Sequence, residues 1–409
     1  MESVTVQSKT QFVHYRQKDT HPNMEGLFRE AKELAAKILE IAKLQQSKLD
    51  RTVLQRRKLK ALMKTMKNLR INSKKMAAGD HDFIPLFYIW TMTNNCNFNC
   101  SYCSNHRGDK YPDLFKNGLT QNLTTEQGKD LLRRMSASSA IYFCGGEPTI
   151  RKDLPELLEY STKLNMFNMI NTNGSLIGDL LLKPGYENFL YNMDVVIVSL
   201  DSLCVPKLAD MYEVSEKISR NVLRNLLALQ ILQKHIPFNL AANTVITKDT
   251  IEDTFDILDF CNDLGVKFSP IAANIGHEPD WELLNNPRYR ELVDKIIERS
   301  AKYPMIASGK MLKSILLPTE MTCYPTVFDH VDYDGGVFWP CKAYLKGIKP
   351  NIFDYDSIID LHRAASQIIN PKDFHGDGEN QCKGHCQWMQ DCVTSFYGKA
   401  LKEGFRRSG

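Results

Sequence analysis

From residue 84 onward, short runs of apolar and β-branched residues alternate with longer stretches whose apolar positions recur every three or four residues. The first pattern predicts strands and the second helices. Strands are predicted at Leu86 to Met92, Ala140 to Gly145, Asn168 to Thr172, Asp194 to Leu200, Asn239 to Thr247 and Lys267 to Ala273. Helical patterns separate them at Thr125 to Ser136, Leu154 to Leu164, Asp179 to Tyr191, Ser215 to Lys234 and Thr250 to Leu264. The run Val195-Val196-Ile197-Val198 lacks polar alternation, as expected of a parallel strand covered on both faces. Six strands with helices between them predict an α/β fold, an incomplete TIM-like barrel of the (β/α)6 kind or an open sheet. In either, ligands belong at the C-terminal ends of the strands.

The first 80 residues follow a different rhythm. Between Met24 and Leu49, Leu27, Ala31, Leu34, Ile38 and Ile41 fall on one helix face. A second helical stretch, Val53 to Lys75, has Leu59, Leu62, Met63, Met66 and Leu69 along one side. Ten Lys or Arg and no acidic residue lie between Arg51 and Gly79, so the rest of the chain is net acidic by six although the whole is +4. A basic amphipathic helix can lie on an anionic membrane or grip a phosphate-rich ligand; the plainer expectation is a helix packed on the protein with a solvated lysine face. Without interleaved aromatics or a recognition motif, nucleic acid is not an expected partner. After Ala273 a helix is predicted from Pro287 to Lys302, and Asp334-Gly335-Gly336 reads as a hairpin turn entering Val337-Phe338-Trp339. Three regions are expected: a helical basic extension over 1–80, a core over 81–305 and a cysteine-rich domain over 306–409.

No run of 18 apolar residues and no secretory signal is present, so a cytoplasmic protein is expected, with membrane association only through the basic helix. The uncharged run Phe83 to Asn105 carries five Asn and three Cys in its second half and does not read as a span. Eleven cysteines in such a chain should be thiols, and clustered thiols usually hold metal. Cys204 and Cys261 read as small buried residues, and Cys144 has no assigned role. Cys96, Cys100 and Cys103 follow the first predicted strand, Gly145-Gly146-Glu147-Pro148 the second, Asn171-Thr172-Asn173-Gly174 the third and Ser199-Leu200-Asp201 the fourth. All four sequences fall on the ligand-bearing rim. Three thiolates within eight residues suit an iron-sulfur core, or zinc with His106 as a fourth ligand.

The stretch Cys96-Asn-Phe-Asn-Cys100-Ser-Tyr102-Cys103 resembles the signature of the radical S-adenosylmethionine (SAM) superfamily, Cys-x3-Cys-x-aromatic-Cys. The Gly-Gly-Glu-Pro, Asn and Asp motifs in register strengthen the resemblance, which covers roughly Ile84 to Asn274. It implies a [4Fe-4S] cluster on Cys96, Cys100 and Cys103 whose fourth iron chelates SAM, and an electron donor such as a flavodoxin or ferredoxin. Electron transfer then breaks a carbon-sulfur bond, and the 5'-deoxyadenosyl radical takes hydrogen from a substrate. By the same resemblance Gly145, Gly146 and Glu147 hold the methionyl amino group, Tyr102 lies near the adenine, and Asn173, Ser199 and Asp201 contact ribose or carboxylate. No catalytic residue beyond these is indicated.

Cys323, twelve residues, Gly336, four residues and Cys341 resemble the opening of the SPASM and twitch extensions of that superfamily. Cys382, Cys386 and Cys392 depart from the full SPASM pattern. One auxiliary [4Fe-4S] cluster is therefore expected on Cys323, Cys341 and two of the last three, in a twitch-like domain; the zinc alternative uses Cys382, His385, Cys386 and Cys392. For the substrate, a small or lipid-linked metabolite matches the basic helix, and a ribosomally made peptide is the alternative. Helices alone between Met24 and Lys75 weigh against the second. A non-catalytic iron-sulfur or zinc scaffold leaves the three-cysteine knot beside Gly-Gly-Glu-Pro unexplained.

Overall fold

The computed structural model describes residues 4–8, 11–15, 22–46, 51–103, 122–275, 278–317, 323–342, 344, 346–373, 393–395 and 397–398. Strands β1 (Val4–Ser8) and β2 (Gln11–Tyr15) form an antiparallel hairpin, so residues 1–80 are not helical throughout. Helices α1 (Met24–Gln46) and α2 (Arg51–Ala77) follow. The core then alternates β3 (Phe87–Thr91), α3 (Thr125–Arg134), β4 (Ala140–Cys144), α4 (Leu154–Lys163), β5 (Phe167–Thr172), α5 (Ile177–Leu180) and β6 (Val195–Ser199). Next come α6 (Val205–Tyr212), α7 (Glu216–Leu232), β7 (Asn239–Ile246), α8 (Ile251–Leu264) and β8 (Lys267–Ala272). After α8 and β8 the chain continues through the short β9 (Asn274–Ile275) and β10 (Glu278–Pro279) to α9 (Trp281–Leu284), α10 (Pro287–Arg299), α11 (Gly309–Leu316), β11 (Phe328–Val331) and α12 (Ile358–Ile368).

Seven strands form one parallel sheet in the order β11-β3-β4-β5-β6-β7-β8, a partial TIM-like barrel. All six predicted strands are present. The seventh, β11, pairs with β3 from Phe328↔Phe87 to Val331↔Trp90, so the core sheet runs past the boundary expected at 305/306. Three polar residues in and around β11 (Asp329, His330, Asp332) hid it from a hydrophobic reading. Asp329 is buried because His362 of α12 bonds it, Nε2 to Oδ2 at 2.6 Å, while the other ring nitrogen meets the Phe83 carbonyl at 3.1 Å. The helix expected at Asp179 to Tyr191 is reduced to α5 and one 3-10 turn, Leu190–Asn192, around Pro184-Gly185. The predicted hairpin turn is present, with Gly335 at φ +83° and the Asp332 N–H donating to the Gly336 carbonyl at 2.7 Å.

Within the barrel, Val195, Ile197, Ala241, Tyr142, Phe167 and Met169 form an apolar plug toward the N-terminal ends of the strands. Polar inward residues, Asn171, Ser199 and Asn243, follow near the opposite ends. That gradient leaves the C-terminal rim lined by polar groups while apolar side chains fill the other end.

The two N-terminal helices attach by opposite logic. α1 buries Leu27, Ala31, Leu34, Ala35, Ile38 and Ala42, an apolar face at steps of three and four, and pairs Glu30 with Arg220 of α7 through two bonds of 2.6 and 2.9 Å. α2 crosses the N-terminal end of the barrel with its polar face inward. Lys64 Nζ donates to the carbonyls of Ser136 and Ser138 at 2.9 and 3.2 Å, just past the C-terminus of α3, and Asn68 donates to Ala137 O at 2.9 Å. In an α/β barrel the outer helices end at this rim, where unpaired carbonyls and the negative ends of helix dipoles gather. A row of donors is what that surface needs.

Arg57 anchors α2. It is 3% exposed and makes two 2.8 Å bonds to Asp194, which is fully buried, and one to Met166 O. Arg57→Ala leaves the buried Asp194 carboxylate with only the Asn168 N–H at 2.8 Å and the partly exposed Lys58 at 3.3 Å, and is expected to cost about 3 kcal/mol in urea unfolding. A loss under about 1 kcal/mol would mean that this pair does not fasten the helix.

Candidate active site at the cysteine loop

Beyond β3 the chain turns at once into the loop that carries the cysteines. The loop is fastened on both sides. The N–H groups of Asn99 and Ser101 donate to the carbonyls of Tyr212 and Met211, each at 3.1 Å, and the Phe98 ring packs 5.1 Å from that of Tyr212. On the other side Asn97 accepts from Asn173 Nδ2 at 2.8 Å and donates to Ser175 Oγ at 3.0 Å. Cys96, Cys100 and Cys103 thereby line one cavity of about 400 Å³ at the C-terminal rim.

Tyr102, Gly146, Asn173, Ser199 and Asp201 line the same cavity. Gly145 and Glu147 stand behind it. Gly145 has φ +145°, and a Cβ there would lie 2.3 Å from the Thr93 carbonyl oxygen; at Gly146 it would lie 2.1 Å from that of Asn95. The N–H groups of Gly146 and Glu147 donate to those same two carbonyls, at 2.7 and 2.8 Å. The glycines thus let the loop after β4 run against the start of the cysteine loop. Glu147 is fully buried. Its Oε1 accepts from the Thr149 N–H and hydroxyl and from the Thr172 hydroxyl at 3.0, 2.6 and 2.7 Å, and its Oε2 from the Asn173 N–H at 2.6 Å. Four donors use the lone pairs of the carboxylate, so here it clips two rim loops together.

Asp201 plays a similar part across the cavity. It accepts from the hydroxyls of Tyr102 and Tyr212, the latter at 2.9 Å, and from the Val245 N–H at 2.7 Å. Burial pushes its carboxyl up to about 6 against these stabilising bonds. Tyr102 is thereby fixed by its hydroxyl. Asn171, named in the sequence as part of a rim motif but given no role of its own, also lines the cavity, as do Tyr212 and Asn243, which escaped the sequence reading. Tyr212 ends a helix that was not predicted; Asn243 follows the apolar run Leu240-Ala241-Ala242 in its strand, which was the available signal.

The donor chemistry fits the group that the resemblance implies. Burial pushes the Cys96 thiol up to about 11 and that of Cys100 further, so these sulfurs become thiolates only against a strong positive charge such as iron supplies. The Phe98 N–H points at Cys96 Sγ, 3.3 Å away, a contact that stabilises a ligating thiolate. Among the described residues no three His, Cys, Asp or Glu side chains converge as ligands of one metal ion would. Asn171 Oδ1 is buried in the cavity wall without a partner, an acceptor for a hydroxyl or ammonium group of a bound ligand.

Cys323 and Cys341 are buried, 7% exposed each, on the segments that precede and follow β11. Neither is in a disulfide, nor are the other six described cysteines. Cys382, Cys386 and Cys392, with His106 and His385, lie outside the described residues. Cys144 sits inward at the end of β4, its thiol pushed up to about 11 by burial.

Residues 90–261 match the model of the radical SAM superfamily. The chain is 31% identical over 220 residues to an Fe-coproporphyrin III synthase of Methanosarcina barkeri, covering 52% of this chain and 51% of that one. It is 25% identical over 217 residues to a PqqA peptide cyclase of Bradyrhizobium diazoefficiens, covering 53% of each. The chain thus spans about half the length of these curated relatives. Its fold is similar to that of Streptococcus suis SuiB bound to S-adenosylmethionine, with a TM-score of 0.54 at 19% identity over 75% of this chain and 72% of the other. SuiB bound to its precursor peptide SuiA gives 0.55 at 17% identity over 75% and 70%. With the cysteine loop, the glycine cradle and the half-barrel in the arrangement described, residues 90–261 form a domain that matches the radical SAM superfamily.

Proposed function

We propose that this chain binds a [4Fe-4S] cluster on Cys96, Cys100 and Cys103, cleaves SAM reductively, and abstracts hydrogen from a peptide. The observation that carries the reading is the meeting of three thiols, the Gly146 backbone and the unpaired Asn171 oxygen in one cavity at the strand ends. The cluster, when bound, would supply the electron that breaks the SAM carbon-sulfur bond. The protein's own residues hold the geometry. Gly145 and Gly146 seat the cysteine loop, Glu147 ties the β4 and β5 loops, and Asp201 fixes Tyr102 against the cavity. Asn171, Asn173 and Ser199 face the ligand. Asn171 Oδ1 is an acceptor still available to it, whereas the Asn173 amide is engaged with Asn97 and Ser175. An auxiliary cluster on Cys323, Cys341 and two of Cys382, Cys386 and Cys392 completes the proposal, with a flavodoxin or ferredoxin as electron donor.

A peptide is favoured as substrate because relatives include PqqA peptide cyclases and a mycofactocin maturase, and because SuiB shares the fold with a peptide bound. A lipid-linked substrate is disfavoured, because α2 lies at the end of the barrel opposite the cavity and does not deliver to it. A small-molecule substrate is the second reading, favoured by the 31% identity to the Fe-coproporphyrin III synthase. The test is uncoupled 5'-deoxyadenosine release by reconstituted protein, repeated with precursor peptides encoded beside the gene and with Fe-coproporphyrin III. Acceleration by a peptide, with a mass change in it, supports the first reading; acceleration by the porphyrin alone replaces it with the second.

A further inference from the structure

The outward face of α2 is apolar. Leu59, Leu62, Met63 and Met66 are 56, 56, 61 and 62% exposed. Their spacing puts all four on one stripe, and the residues that hold α2 to the barrel, Arg57, Ala61, Lys64, Asn68 and Asn72, lie on the opposite side of the helix. A surface helix ordinarily turns its apolar side inward. Here the donors required by the carbonyl-rich rim take the inward side, and the apolar residues are left facing solvent. Leu69 and Met76, one turn or more further on, do pack, against Phe83, Leu86 and Tyr324. The exposed stripe is therefore confined to Leu59 through Met66.

Beside it runs a row of cations. Arg56, Lys60, Lys67, Arg70 and Lys74 are exposed and make no ion pair or side-chain hydrogen bond among the described residues, and no acidic residue lies between Arg51 and Gly79. We propose that this face of α2 docks the protein on an anionic lipid bilayer, with the apolar stripe entering the headgroup boundary and the cation row on the lipid phosphates. Charge complementarity selects this occupant. A second copy meeting the same face would bring two unpaired cation rows together, which opposes association. An uncharged apolar partner would cover the stripe and leave the row unmatched. No described helix is long and apolar enough to cross a membrane, so the contact is peripheral. Because α2 covers the N-terminal end of the barrel, docking leaves the cysteine-loop cavity facing away from the bilayer. The role is placement of the enzyme and is independent of its substrate.

The full-length protein is to be floated with phosphatidylcholine vesicles with and without phosphatidylglycerol, at low and high salt. Two variants accompany it, L59Q/L62Q/M63Q/M66Q and K60E/K67E/K74E, each checked for fold by circular dichroism and for SAM cleavage. The expected result is flotation with the phosphatidylglycerol vesicles that salt weakens, and a loss of roughly tenfold or more in apparent affinity for each variant with fold and SAM cleavage unchanged. No flotation of the parent protein, or equal flotation of the glutamine variant, overturns the proposal. A dimer by light scattering that the glutamine variant dissociates would assign the stripe to a second copy instead and equally overturn it.

Discussion

Replacing Cys96, Cys100 and Cys103 together by Ala removes all SAM cleavage and about half of the iron, from about eight per chain to about four. The effect is large because all three thiols of the proposed site share one loop and one cavity. The loop itself should survive. Its fastening runs through the backbone of Asn99 and Ser101 and the side chains of Asn97 and Phe98, none of which is changed. Unfolding by urea should therefore move little for the metal-free proteins, which separates loss of the cluster from loss of the fold. Iron content, sulfide content and 5'-deoxyadenosine are the readouts. Cleavage retained by the triple variant would remove the cluster from this loop.

Gly146→Ala should be nearly as damaging by a different route. The added Cβ would lie 2.1 Å from the Asn95 carbonyl oxygen, a backbone atom one residue before Cys96. Relief requires the strand-end loop and the cysteine loop to part, which breaks the bonds at 2.7 and 2.8 Å between them. A cost of about 2–4 kcal/mol in stability is expected, with poor cluster loading. Gly265→Ala is the control. Gly265 closes α8 at φ +66° with open space around it, so only the backbone conformation is penalised, at about 1 kcal/mol. Equal losses at the two positions by urea unfolding, or normal iron in the Gly146 variant, would show that this close approach is not what the glycine protects.

Most of the barrel was legible because its outward strand positions are predominantly apolar and its helices amphipathic. Strand β11 was not. Its Asp329 and His330 are buried polar residues, and Asp329 is satisfied by His362, which lies 33 residues further along the chain, a pairing that hydropathy cannot show. The cysteine loop, the glycines and the Asn and Asp motifs were readable as local sequence, and five of the seven expected SAM-binding residues line one cavity. The duties of Glu147 and Asp201 were not readable. Both looked like ligand contacts, yet Glu147 spends its carboxylate on loop hydroxyls and N–H groups, and Asp201 on two tyrosines. A carboxylate at a strand end offers the same sequence signal whether it faces a ligand or its own neighbours. The apolar side of α2 was readable too, but its direction was not, because the deciding groups are carbonyls at the far ends of α3 and α4.

The most direct test of the central claim is to reconstitute the full chain with iron and sulfide under anaerobic conditions, add dithionite and SAM, and follow 5'-deoxyadenosine by chromatography. Slow release that depends on both additions, with about eight irons per chain, is the result the account predicts. Iron bound without any 5'-deoxyadenosine, or no iron taken up at all, would contradict it and leave a metal-binding scaffold in place of an enzyme.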